Sequence, residues 1–234
     1  MTDPALLLVA HGTRNPRGVE TIAALADAVS HEVGTTRVAF VDVLGPSPSE
    51  VLRRSGRPTV LVPAFLASGY HVHADVPREV TDSGHRAVAV TRALGPDPVL
   101  ARVQLQRLAA AGWRPGDAVV LAAAGSSDPR AVGDVRRAAG MLSALARVAV
   151  RVGYVATGSP RVPDVVAELR AAGAGRVFVA SYLLADGLFH ARLADAGADG
   201  VAAPLGVHDS IVRLVADRYR SAATALLTAE PLRR

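Results

Sequence analysis

The chain of 234 residues has no cysteine. Disulfides, thiolate zinc sites, iron–sulfur clusters and thiol nucleophiles are therefore excluded. It has no lysine either. All 26 basic residues are arginine, which excludes P-loop, protein-kinase and lysine Schiff-base chemistry, pyridoxal phosphate enzymes included. Aromatic residues make up only 4% and the arginines are dispersed, so no nucleic-acid partner is expected. No stretch approaches about 18 uninterrupted apolar residues, so no membrane span is expected. Met1-Thr2-Asp3-Pro4 and the short apolar run after it lack the features of a signal peptide, which makes the cytoplasm the expected location. Two isoleucines beside zero lysines indicate a biased composition, and a net charge of +5 is modest.

What the chain does have is small and branched apolar side chains. Alanine (45) and valine (34) supply 79 of the 117 hydrophobic residues. They fall into short runs, Leu6–Ala10, Val38–Val43, Thr59–Leu66 and Ala87–Val90, separated by stretches of helical period such as 18–33 and 98–111. Pro46-Ser47-Pro48 opens a short helix through Leu52. Apolar runs of this length alternating with helices predict βαβ units around a parallel sheet covered on both faces.

The sequence then repeats itself. Leu6–Arg17 lines up with Val119–Arg130, Val41-Asp42-Val43 with Gly153-Tyr154-Val155, and Thr59–Leu66 with Arg176–Leu183, at offsets of 112 to 117 residues. The pattern predicts an α/β chain of two similar domains, 1–114 and 115–234. Each would hold a mostly parallel four-stranded sheet with helices on both faces. The turn-rich Trp113-Arg114-Pro115 is the expected boundary.

In open α/β sheets, ligands bind beyond the carboxyl ends of the strands. That rule places His11, Asp42 and His71 on one rim. Two imidazoles and a carboxylate there suit a divalent transition metal, and they equally suit proton removal near neutral pH. His73 competes with His71, while His31, His85 and His208 read as structural. Gly125-Ser126-Ser127 is a candidate anion nest at a helix start. The repeat supplies an internal control: His11 is matched by Ala124, Asp42 by Tyr154, and His71 by Phe189 if Gly69 pairs with Gly187. Residues that only supported the fold should tend to persist in both copies. Their loss points to one active half and one degenerate half.

His11-Gly12-Thr13-Arg14, the segment Phe40–Ser47, and Gly69-Tyr70-His71 with Asp75 and Pro77 together resemble the sirohydrochlorin chelatases, the class II chelatases of siroheme and cobalamin synthesis. Asp42 stands where relatives often have Glu, and Val76 is a mild departure. The resemblance implies a chelatase-like fold with the active-site cleft between its two domains. It implies insertion of Fe2+, or alternatively Co2+, into sirohydrochlorin, a tetrapyrrole with eight carboxylates. His11 and His71 would be the catalytic pair, facing each other across the macrocycle, and with Asp42 would contact the metal. The metal is a substrate, so no permanently bound cofactor is expected. Arg14, the backbone of Gly12, Thr13, Ser126 and Ser127, and Tyr70 are the expected substrate contacts, with arginine matching carboxylate bidentately. A two-domain chain of this kind is expected to be a monomer that mimics a homodimer of shorter forms. A non-catalytic tetrapyrrole or metal carrier of the same fold is the alternative. A covalent phosphohistidine enzyme is disfavoured, because Ala10 stands where such enzymes place arginine.

Overall fold

The computed structural model describes residues 3–228. Met1 and Thr2, read above as part of a start without a secretion signal, lie outside the described residues, as do positions 229–234. In the first repeat, β1 (Ala5–Ala10), β2 (Thr36–Phe40), β3 (Thr59–Pro63) and β4 (Val88–Val90) form a parallel sheet in the order β2-β1-β3-β4. In the second, β5 (Ala118–Gly125), β6 (Val150–Thr157), β7 (Val177–Tyr182) and β8 (Gly200–Val201) repeat it as β6-β5-β7-β8. The four-stranded sheets expected from the apolar runs are both present, and every pairing is parallel. The second strand ends at Phe40 rather than running to Val43, so Asp42 stands in the loop beyond it.

Leu6, Leu7, Leu8, Val60, Leu61 and Leu121 are essentially inaccessible to solvent. Burial of each such side chain contributes about 2 kcal/mol. The helices start by the same device in both repeats. Asn15 accepts the Arg17 N–H to open α1 (Pro16–Val33), and Asp128 accepts the Arg130 N–H to open α5 (Pro129–Ala146). Both have proline in the first turn, where a missing N–H leaves no intrahelical bond unmade. Ser47 and Glu50 form a capping box at α2 (Pro48–Arg53). The remaining helices on the two sheets are α3 (Val76–Ser83), α4 (Pro98–Ala110), α6 (Val162–Ala171), α7 (Leu188–Ala191) and α8 (Asp209–Thr228).

The compact units differ from the halves 1–114 and 115–234. One comprises residues 1–94 with 209–234, the other residues 95–208. The reason is which apolar faces meet: α4 packs on α5 and β7, and α8 packs on α1, β3 and β4. The Tyr219 hydroxyl in α8 donates to the Pro4 carbonyl at 2.7 Å, and Arg220 pairs with Glu32 at 3.1 Å. Each unit therefore takes in the last helix of the other repeat. Trp113-Arg114-Pro115 is a folded turn inside the second unit rather than a linker. Trp113 Nε1 donates to the Asp117 carbonyl at 3.2 Å, and the Asp117 carboxylate accepts the Arg114 N–H at 2.7 Å. Among the described residues no helix is long and apolar enough to cross a membrane.

Candidate active site

His11 is the first residue after β1, at the carboxyl end of the sheet. Its carbonyl accepts the Asp42 N–H at 3.0 Å, which ties the loop after β2 to the loop after β1. The approach is close enough to require glycine at position 12. Gly12 has φ +99°, and a Cβ there would lie 2.1 Å from the Asp42 carbonyl oxygen. Gly125 repeats this in the second unit, with φ +98° and only 1.7 Å to the Thr157 oxygen. We expect Gly12→Ala and Gly125→Ala each to destabilise the fold by more than about 2 kcal/mol in urea unfolding, from backbone strain plus the steric clash.

His71 begins a single π turn, His71–Asp75, in which the Val76 N–H reaches back to the His71 carbonyl. Pro77 follows and has no N–H to hold this stretch to α-helical spacing. The turn leads into α3, which Glu79 ties to α2 by accepting the Ser49 N–H at 2.9 Å. Burial pushes the Glu79 carboxyl up, but the Ser49 amide, the Ser49 and Ser47 hydroxyls and the Arg78 guanidinium together hold it below the usual range. Four residues after His71, one helical turn on, the buried Asp75 accepts from His71 Nδ1 at 2.6 Å and from Arg78 at 2.8 Å.

The two rings meet. His11 and His71 lie edge to face, with centroids 4.5 Å apart and planes at 83°. Phe65 stacks on the other side of His71 at 6.1 Å, and Tyr70 stands edge-on at 6.1 Å. The expectation that the two imidazoles face each other across a macrocycle is corrected here. A flat ring between them would need about 7 Å, two contacts of about 3.5 Å. The tautomer of each neutral imidazole ring is set by its partner. A carbonyl only accepts, so His11 Nδ1, 3.2 Å from the Gly12 oxygen, carries the proton. The Asp75 carboxylate likewise accepts, so His71 Nδ1 carries the proton and donates to it. In the neutral rings Nε2 is then the lone-pair nitrogen on both residues.

The other expected site residues are placed as follows. The Asp42 carboxylate is turned onto its own loop and accepts the Val43 N–H at 2.7 Å. Among the described residues no group of three His, Asp or Glu converges to hold a metal, so Asp42 does not complete a ligand set with the two histidines. The Thr13 hydroxyl accepts the Asn15 N–H at 3.1 Å, and the Ser126 hydroxyl accepts the Asp128 N–H at 3.0 Å. Both hydroxyls accept within their own turns and keep an O–H to donate. Ser127 is exposed. Arg14 is exposed and has no carboxylate partner among the described residues. Tyr70 is 61% exposed. His73 is exposed and makes none of the ring contacts of His71. His85 Nε2 bonds the Arg57 carbonyl at 2.9 Å, the structural role expected for it. Asp75 was read from sequence as part of a motif but without a role, and Arg78, which pairs with Asp75, and Val43 were not singled out. Asp75 and Arg78 announce themselves as (i, i+4) and (i, i+3) partners on one helical face.

Strand register corrects two details of the repeat. Ala10 pairs with Phe40 and Ala123 with Tyr154, so Tyr154 is the counterpart of Phe40 rather than of Asp42. Asp42 falls opposite Ala156 by strand register, or Thr157 by contact with the conformational glycine, and neither has a carboxylate. Ala5 pairs with Thr59 and Ala118 with Val177, an offset one residue longer than the aligned runs suggested. That offset pairs Gly69 with Gly187 and so places Phe189 opposite His71.

Fold and rim together define a tandem α/β protein with a histidine pair on one repeat and none at the matching positions of the other. The chain belongs to the CbiX family, whose model matches residues 5–111 and again 118–222. Among curated proteins it is 32% identical over 81 residues to a sirohydrochlorin cobaltochelatase of Methanopyrus kandleri, a match covering 32% of this chain and 56% of that one. The chain thus spans about half the length of that relative. Among solved structures it is similar to SirB from Bacillus subtilis with Fe3+, at TM-score 0.81 and 22% identity over 98% of both chains. It is also similar to the sirohydrochlorin chelatase SirB of Bacillus subtilis subspecies spizizenii in complex with cobalt, at TM-score 0.77 and 21% identity, covering 95% of this chain and 96% of that one.

Proposed function

We propose that this chain inserts a divalent metal into sirohydrochlorin, Fe2+ in preference to Co2+, a lyase reaction of siroheme or cobalamin synthesis. The observation that carries the proposal is the touching His11–His71 pair, each ring with Nδ1 committed to an acceptor and Nε2 left as a lone pair. Family membership and the names of the relatives support sirohydrochlorin as the substrate and a transition metal as its partner, cobalt for the curated relatives and iron or cobalt for the solved structures.

Metal insertion replaces two pyrrole N–H protons by one M2+, with no change of oxidation state. The two Nε2 atoms supply what that exchange needs. They accept the departing protons and pass them to water, and before that they hold the incoming ion with only two ligands. A two-ligand cradle binds more weakly than the four-ligand sites that keep a metal permanently, which suits an ion that must leave for the macrocycle. Asp42 assists by fixing the loop beside His11, its N–H held by the His11 carbonyl. Arg14 and the backbone amides of Gly12 and Thr13 take substrate carboxylates, and Tyr70 offers an apolar flank. The chain acts as a cytoplasmic monomer.

The test is anaerobic absorbance spectroscopy of sirohydrochlorin with Fe2+ or Co2+, with and without the protein. Metallation should run faster with the protein present, and faster with Fe2+ than with Co2+. If the protein binds the tetrapyrrole but accelerates insertion of neither metal, the carrier reading replaces this one.

A further inference from the structure

The loop that touches His11 contains one of the two described non-glycine residues with positive φ, and the one that is β-branched. The Leu44 N–H donates to the Asp42 carbonyl at 2.7 Å, and Val43 between them has φ +68°. That is a classic γ-turn, rare in any sequence, and a β-branched residue is the least suited to its centre. The conformation is over-determined from both sides. The Asp42 carboxylate accepts the Val43 N–H at 2.7 Å, and the Asp42 N–H is held by the His11 carbonyl at 3.0 Å.

The second repeat makes the corresponding turn without strain. There the residue that follows the carbonyl packed on the glycine is Gly158, with φ +108°. Glycine takes that conformation at no steric cost. The repeat without the histidine pair has the residue the backbone prefers, and the repeat with it has valine. Burial does not explain valine, since Val43 is 45% exposed and Leu44 beside it 37% exposed. Its position does offer a reason. The Val43 Cβ lies 3.4 Å from the point where a side chain on Gly12 would begin, directly beside His11.

We propose that Val43 is a specificity-determining residue: the γ-turn holds its isopropyl group, with Leu44, as an apolar ledge against which the face of the tetrapyrrole rests while the imidazoles work on its centre. This deepens the proposed function and rests on it. A ledge of this kind recognises the apolar ring system common to substrate and product, whereas the carboxylates are left to arginine and backbone amides. Backbone strain is tolerated at ligand-binding loops when the side chain it displays is used there.

Val43→Gly and Val43→Asn test the assignment, because both residues accept φ > 0 more readily than valine. If the side chain serves the ligand, thermal unfolding midpoints of both variants stay at or above that of the unmodified protein. The KM for sirohydrochlorin then rises about tenfold, the loss expected for one buried aliphatic contact, and the KM for the metal ion and kcat change little. A lowered unfolding midpoint with unchanged KM would show that Val43 serves the fold, and would overturn the inference. A metallating protein whose variants keep the same sirohydrochlorin KM would overturn the ledge while leaving the proposed function standing. An unmodified protein that accelerates no metallation would remove the proposed function itself, and the ledge with it.

Discussion

His11→Ala is expected to lower the rate of protein-catalysed metallation by about 10²–10⁴-fold, the range typical of a positioned acid or base. The folded structure should survive, because His11 is exposed and its one side-chain hydrogen bond goes to the adjacent Gly12 carbonyl. Its removal should shift stability by no more than about 0.5 kcal/mol, as for other surface positions. Tetrapyrrole binding, read from the absorbance shift without metal, should persist. His71→Ala should slow the reaction as much, but with a stability loss, since it leaves the buried Asp75 with Arg78 as its remaining partner. Because the two rings touch, they act as one device, and the double variant should be little slower than either single one. Full multiplicative losses would mean two independent steps at two separate places.

Asp75→Asn has the second-largest expected effect. The carboxylate accepts from two directions, His71 Nδ1 and Arg78. An asparagine can present one oxygen only, and its amide meets either the ring N–H or the guanidinium donor to donor. The favourable escape for His71 is the other tautomer, with the proton on Nε2 and the lone pair turned to the asparagine. That removes an acceptor from the site without removing the ring. Activity should fall about 10–100-fold, as for other residues that orient a ligating histidine. Stability should fall by about 1–3 kcal/mol from the buried groups left poorly paired. Nitrogen NMR of the His71 ring reads the tautomer directly. If Nδ1 stays protonated in the variant and activity is unchanged, Asp75 serves the helix rather than the imidazole.

Much of this was readable from residue order, and the rest failed for physical reasons. β1 and β3 are runs of buried aliphatics whose composition leaves no other assignment. Asn15 and Asp128 ahead of Pro16 and Pro129 announce helix starts. His11 and His71 could be placed on one rim because strand ends in a parallel sheet share a side. Their separation could not be read, since a rim assigns a level and not a distance, so the touching geometry came only with the structure. Tyr154 was matched to the wrong partner because apolar strands align almost equally well when slipped by one or two residues, and only the hydrogen-bond ladder fixes the register. Val43 was invisible for another reason. A valine in an apolar run looks like strand, and nothing in a residue name signals positive φ. The boundary near Trp113 separates the repeats but not the compact units, because a repeat is a property of descent, while a compact unit is a property of packing.

The exchanged helices set an order of assembly. The sheet bearing the histidines is made from the first 94 residues, yet its covering helix is α8, near the end of the described chain. On a ribosome adding about 5–20 residues per second, the intervening stretch takes on the order of ten seconds. Throughout that time the faces of β3 and β4 that receive α8 stay open. The second unit, contiguous from Gly95 to His208, is complete first. The unit without the histidine pair is therefore complete while the one that carries it still waits for its last helix.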